Sequence, residues 1–287
     1  MIKKIFVVII CFNLVLLMSG CKGEKNNTDL SSKNQEPMMS EENNTDLSSK
    51  NQGPIMAKKN DLVQKYYAEY ISAEDKKFLS NVKSKNENDK LFSELEKQYA
   101  ETIERMNDEE INNIQSCEKD ACLDSWACLD CFEGNPWFVL NSSYLANRYE
   151  KYISPAYKYW LDHQNNNRNW IRDAGLTISY EDLRKDIIDL EDFIQKYPDF
   201  IFRNQVEQTA NGYMNVYLSG MDNTPIHEFG TYVMLDECKK SYEQFLKENT
   251  SSKYYDTVKD FYNQAKKHNF VIKGKWVEEF YKQYFRN

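Results

Sequence analysis

The residues best equipped for chemistry are four cysteines within fifteen positions, Cys117, Cys122, Cys128 and Cys131, spaced C-x4-C-x5-C-x2-C. Three chemistries compete for such a cluster. Oxidised in pairs, the cysteines staple a loop, with three possible connectivities. As thiolates they could hold zinc; Cys128-x2-Cys131 suits one half of a four-thiolate site, but the x4 spacing of Cys117 and Cys122 departs from the usual other half. As a redox pair, Cys128 and Cys131 would need the strand-to-helix setting of an α/β fold, and no βαβ pattern accompanies them. Phe132 follows Cys131, so there is no haem-attachment motif.

The remaining reactive residues are sparse. The histidines are His163, His227 and His268. His227-Glu228 starts the zinc-peptidase pattern, but Thr231 stands where the second histidine belongs. There is no Gly-x-Ser-x-Gly elbow, phosphate loop or dinucleotide fingerprint. Acidic runs such as Asp108-Glu109-Glu110 read as a solvated helix face. Cys238 falls on an apolar helical stripe and reads as a small buried hydrophobe, the cysteine left unpaired. The sequence therefore assigns no catalytic residue, no metal site and no cofactor.

The first 21 residues set the address. Lys3 and Lys4 precede an apolar run, Ile5 to Met18, broken by Asn13. The run is short for a spanning helix and right for a signal h-region. It ends in Leu17-Met18-Ser19-Gly20-Cys21, which resembles the lipobox of bacterial lipoproteins, with Met18 in place of the usual leucine. The resemblance implies removal of residues 1–20, lipidation of Cys21 and anchoring in the bilayer through acyl chains. Lys22 after the cysteine leans, by family analogy, towards the outer membrane of the cell envelope. Export implies an oxidising compartment, which favours disulfides among Cys117, Cys122, Cys128 and Cys131 over a metal site.

Cutting before Cys21 takes away two lysines and no acids, so the formal charge of −8 becomes −10. An acidic chain argues against nucleic-acid binding and permits attraction to basic partners. Residues 21–60 read as a disordered tether rich in Asn, Ser, Lys, Glu and Gln. Within it, Asn26–Gln35 recurs unchanged as Asn43–Gln52. Without an apolar periodicity this duplication lengthens a linker, which as a coil reaches about 30–35 Å.

The elements that must position everything else are helices. Nine glycines and six prolines in 287 residues leave few tight turns, while 20 tyrosines and 15 phenylalanines supply core bulk. An all-α domain is expected over 61–287: N-terminal helices at 61–116, a cysteine-rich loop at 117–137 and helical hairpins at 138–287. Leu62, Tyr66 and Tyr70 recur at four, and Leu91, Leu95, Tyr99, Ile103 and Met106 form an amphipathic stripe. The aromatic segment Tyr144, Tyr149, Tyr152 and Tyr159 reads as core, Asn165-Asn166-Asn167 as a polar break, and Trp170 as the cap of a short helix. Ser179 with Asp182 forms a cap, Leu183, Ile187, Leu190 and Ile194 a stripe, and Pro198 a stop. A second helix is expected over about 201–219, and Thr224-Pro225 reads as an N-cap and N1 pair. Two further stripes follow, Leu235–Asn249 and Tyr254–Ala265, and Trp276, Phe280 and Tyr284 mark a closing helix.

Phe193 and Val206 match Phe245 and Val258 at an offset of 52, so two hairpins repeat. This grammar resembles tetratricopeptide-like and other α-solenoid proteins, without the 34-residue period or its signature residues. The resemblance implies a short bundle or solenoid-like array with a disulfide-stapled loop. The expected function is a membrane-anchored scaffold binding an envelope protein or peptide. The alternative is an inhibitor of lysozyme-like hydrolases, or a peptidoglycan-active enzyme.

Overall fold

A computed structural model describes residues 52–114, 125–132 and 134–285. The chain is mostly helical. Helix α1 (Gln52–Tyr66) passes through a π-helical turn (Tyr67–Ile71) into α2 (Ser72–Asn81). Helix α3 (Lys85–Glu110) is the longest, about 39 Å at the α-helical rise. Its stripe of Phe92, Leu95, Tyr99, Ile103 and Met106 is buried as the spacing predicts. The π-turn changes the expectation for the first helix. One extra residue in the turn shifts the inner face, so Val63, Tyr66 and Ile71 are buried, while Leu62 and Tyr70 are only partly covered. Helix α1 also begins inside the stretch expected to be tether.

The cysteine-rich stretch, expected as a loop, is partly strand within a fold that stays mostly helical. Strands β1 (Ala127–Phe132) and β2 (Asn135–Leu140) form an antiparallel ribbon in which Cys128 faces Val139 and Cys131 faces Pro136. Gly134 turns the chain at φ +79. Ala127, Cys128 and Leu129 form a short apolar run, and Ala127 to Asp130 are all buried, so no period-2 alternation marks the strand. Buried Asn107 of α3 acts as a surrogate strand edge: its Nδ2 donates to the Phe138 carbonyl at 2.9 Å and its Oδ1 accepts from Phe138 N–H at 2.7 Å. Asn141 then caps α4 (Ser142–Tyr149), accepting from Tyr144 N–H. Ser154 caps α5 (Pro155–Asn167), with Pro155 as its first residue. Asp89 of α3 in turn accepts from both Ser154 N–H and Ser154 Oγ.

Asn165–Asn167 form the last residues of α5 rather than a break, and Trp170 precedes a second small hairpin, β3 (Ile171–Arg172) and β4 (Gly175–Leu176). Its connecting residues, Asp173 and Ala174, both lie at positive φ, 47° and 51°. That is the geometry a two-residue hairpin needs, achieved here without the usual glycine. Asn223 N–H donates to the Ala174 carbonyl, and the Asn223 side chain holds the Asp173 carbonyl.

The C-terminal half follows its sequence closely. Helix α6 (Tyr180–Lys196) is capped by Ser179, whose Oγ accepts from Asp182 N–H. Helices α7 (Arg203–Ser219), α8 (Asp236–Glu248), α9 (Tyr255–Lys267) and α10 (Lys275–Tyr284) complete the fold. Thr224-Pro225 starts no helix; the chain runs irregularly to Leu235, and α8 begins there. Hairpins α6–α7 and α8–α9 share a connection of the same design. Tyr197 N–H bonds the Phe193 carbonyl as Asn249 does that of Phe245. Phe200 bonds Tyr197 as Ser252 bonds Asn249, and Val206 bonds Phe202 as Val258 bonds Tyr254. Every one of these pairs is offset by 52.

Many of the tyrosines are core residues with satisfied hydroxyls, but of the segment expected as core only Tyr149 is fully buried; Tyr144 and Tyr152 are partly covered and Tyr159 is exposed. Tyr99 and Tyr149 share a hydrogen bond at 3.0 Å, Tyr157 donates to Glu96, Tyr217 pairs with Ser241, and Tyr242 donates to the Tyr217 carbonyl. Among the described residues no helix is long and apolar enough to cross a membrane.

Candidate functional site

Cys21, Cys117 and Cys122 lie outside the described residues. Cys128 is buried on β1, and Cys131 lies three residues on, towards the opposite face of the same strand. That strand position supplies no helix N-terminus to lower a thiol pKa, so the redox setting is missing. Among the described residues no three His, Cys, Asp or Glu side chains group to hold a metal ion. Cys238 is fully buried, and burial, with the nearby Glu237 carboxylate, pushes its thiol up to about 12. His227 and Glu228 lie in an exposed loop rather than on a zinc-binding helix.

The structure gathers three polar clusters that sequence spacing did not reveal. The first surrounds Asp75 on α2. Its carboxylate accepts from Tyr149 OH at 2.8 Å, from Arg148 Nη2 at 2.5 Å and from Tyr67 OH in the π-turn. Burial alone would raise this carboxyl, but the hydrogen bonds of Tyr67, Arg148 and Tyr149 outweigh it and hold the pKa below the ordinary value. The π-turn places Tyr67 to reach Asp75, so the extra residue serves a buried carboxylate whose Arg148 partner stays exposed. The carboxylate is saturated with donors, which makes the cluster a structural joint between α2 and α4.

The second is Glu96 on α3, which accepts from Tyr157 OH at 2.5 Å. Burial pushes its carboxyl up to about 7, and the single hydrogen bond from Tyr157 offsets only part of that.

The third lies where α5 packs against α6. His163 Nε2 and Asn167 Nδ2 both reach Asp186 Oδ2 at 2.9 Å. Trp160 and Tyr159 stack on the His163 ring, at centroid distances of 5.5 and 6.2 Å. Tyr159 also stacks on Phe193 at 4.8 Å, yet keeps 36% of its surface exposed. Asp189 and Asp192 follow Asp186 along the α6 surface. Partial burial, then Asp186 and Asp192, push the Asp189 carboxyl above its ordinary range. Burial and the same three carboxylates raise the Tyr159 hydroxyl to about 12. The groups packed around the His163–Asp186 pair are the Trp160, Tyr159 and Tyr213 rings and the Asn167 amide. An exposed ring in the field of three carboxylates attracts a cation.

The α5 positions Trp160, His163 and Asn167 share one helix face by their spacing of three and four, which a sequence reading could have linked. Their acidic partners on α6 are about twenty residues away and carry no such signal.

No family model, curated protein or solved structure matches this chain.

Proposed function

We propose that the chain is a lipid-anchored protein of the bacterial envelope whose helical domain is a binding scaffold for basic protein or peptide segments. The observation that carries the binding reading is Tyr159, exposed and flanked by Asp186, Asp189 and Asp192. A lysine or arginine of the partner would lie against the ring while its charge meets the carboxylates. The lipobox-like Leu17–Cys21 supports the anchor, and residues 22–51 supply reach. The test is calorimetric titration with a lysine-rich peptide at low and high salt. Asp189→Asn combined with Asp192→Asn should weaken binding at least about tenfold. Unchanged affinity in that variant would remove the site. Metabolic labelling with a clickable fatty acid should tag the parent chain and not Cys21→Ser.

The acidic balance, −10 after residue 20, also favours a second reading, inhibition of a basic lysozyme-like hydrolase. Following cell-wall lysis with added protein decides it: unchanged lysis ends the inhibitor reading, and spontaneous lysis would mark an enzyme.

The finer architecture belongs to the same proposal. The repeated hairpins form a short solenoid-like array, and disulfides staple the ribbon to the segment before it. In this proposal Cys128 and Cys131 each take part in one of these bridges. Three residues apart on a strand, their Cα atoms stand about 10 Å from each other, beyond the reach of a mutual bridge. Their partners are then Cys117 and Cys122, which leaves two of the three connectivities. Peptide mapping without reductant should find no Cys128–Cys131 linkage.

A further inference from the structure

The chain carries a formal charge of −8, yet from Phe261 to Val277 it contains no acidic residue and four lysines, Lys266, Lys267, Lys273 and Lys275. This stretch ends α9 and leads into α10. The fold joins it to a second segment, His227–Met234. Val233 bridges Val271, Met234 N–H donates to the Phe270 carbonyl, and Ile272 N–H donates to the Tyr232 carbonyl.

At the tip of that second segment stands Phe229, 78% exposed. The tip is built to hold it there. Glu228 N–H bonds the Val233 carbonyl at 2.9 Å, Tyr232 N–H bonds the Glu228 carbonyl at 3.0 Å, and His227 bridges Met234. Gly230 and Tyr232 take positive φ, 83° and 60°, to close the turn. Val233 is exposed beside it. The surrounding cations are arranged over rings: Lys273 Nζ lies 4.2 Å from the Tyr232 ring centroid and Lys239 Nζ 4.2 Å from that of Phe270. Lys275 pairs with Glu279, while Lys266 and Lys267 are exposed in the last turn of α9.

We propose that this pole docks on a bilayer bearing anionic phospholipid headgroups, with Phe229 entering the acyl boundary and the lysines meeting the headgroups. The charge decides the occupant. A protruding aromatic whose segment pairs with a lysine-rich stretch free of acids, on an otherwise acidic molecule, is drawn to a negative interface and oriented by it, because the rest of the surface is repelled; the one acid beside it, Glu228, accepts from Thr231. Lys273 and Lys239 hold their ammonium groups over the Tyr232 and Phe270 rings, which keeps cationic charge beside the aromatic surface. This surface shares no residue with the Tyr159 cluster and does not draw on lipidation at Cys21.

The test uses the chain from residue 21 onwards with Cys21→Ser, which keeps every described residue and removes leader and acyl groups. It should co-sediment with vesicles of phosphatidylcholine and phosphatidylglycerol, fail to do so with phosphatidylcholine alone, and release as salt rises. Phe229→Ser should lower partitioning about tenfold, and each lysine changed to glutamine at 266, 267 and 273 about fivefold. Phe229→Trp should shift its emission to the blue with anionic vesicles and be quenched by brominated lipid. Equal binding to neutral vesicles, undiminished binding of the variants, or an unmoved Phe229→Trp emission would overturn the proposal. Circular dichroism confirms that each variant is folded, and calorimetry with the lysine-rich peptide reports separately on the acidic face.

Discussion

Glu191 on α6 accepts a hydrogen bond from Ser252 Oγ at 2.6 Å and another from Lys253 N–H at 2.6 Å. One helix of the first hairpin thus holds the connection of the second. Glu191 is buried, so its removal leaves two donors at the edge of the core without their acceptor. Glu191→Ala should cost about 2 kcal/mol in urea unfolding. A loss within experimental error would mean that apolar packing alone joins the hairpins.

Ala174 sits at φ +51 in the two-residue connection of the β3–β4 hairpin. A left-handed conformation strains any residue with a Cβ, and glycine relieves it. Ala174→Gly should therefore stabilise the chain by about 1 kcal/mol, a rise of about 2–4 °C in melting temperature. A lower melting temperature would show that the glycine's added freedom in the unfolded chain outweighs the relief.

Glu96 gives a pH dependence of definite sign. In the folded chain its carboxyl stays protonated up to about 7, while the unfolded chain ionises it near the ordinary 4.5. Its contribution to stability is complete below 4.5 and is lost as pH climbs from 4.5 to 7. Glu96→Gln cannot ionise and should hold its stability across that window better than the parent. Parallel unfolding curves for the two proteins from pH 4 to 8 would reject the assignment.

Cys238 should resist modification. Burial and a thiol raised to about 12 leave almost no thiolate at neutral pH. Iodoacetamide should label it in urea and leave it untouched in buffer over the same interval. Rapid labelling of the native chain would place this thiol at an accessible surface.

Sequence periodicity located the C-terminal helices well because their apolar residues recur at three and four without interruption, as with Leu183, Ile187, Leu190 and Ile194. It also located the 52-residue repeat, since Phe193 and Phe245 close equivalent turns. It failed where backbone geometry departs from the regular period. The π-turn hides between Tyr66 and Ile71, because an inserted residue looks like an ordinary shift of stripe. The β1–β2 ribbon hides because Ala127 to Asp130 are buried on both faces and show no period of two. Thr224-Pro225 carries a start signal with no apolar stripe immediately behind it, and the chain does not coil there. The Asp75, Glu96 and Asp186 clusters were invisible for a different reason. Each joins residues from separate helices, and only packing decides which carboxylates meet which hydroxyls.

The π-turn at Tyr67–Ile71 has a geometric outcome for everything ahead of it. One residue added to a helix rotates the preceding segment by about 100° around the axis. The turn therefore works as a bearing that sets the azimuth of α1 on the domain. Deleting a single residue such as Ala68 would swing Val63 and Tyr66 out of the core and pull Tyr67 from Asp75. The azimuth of α1 is thus coupled to the contacts of one buried carboxylate, Asp75.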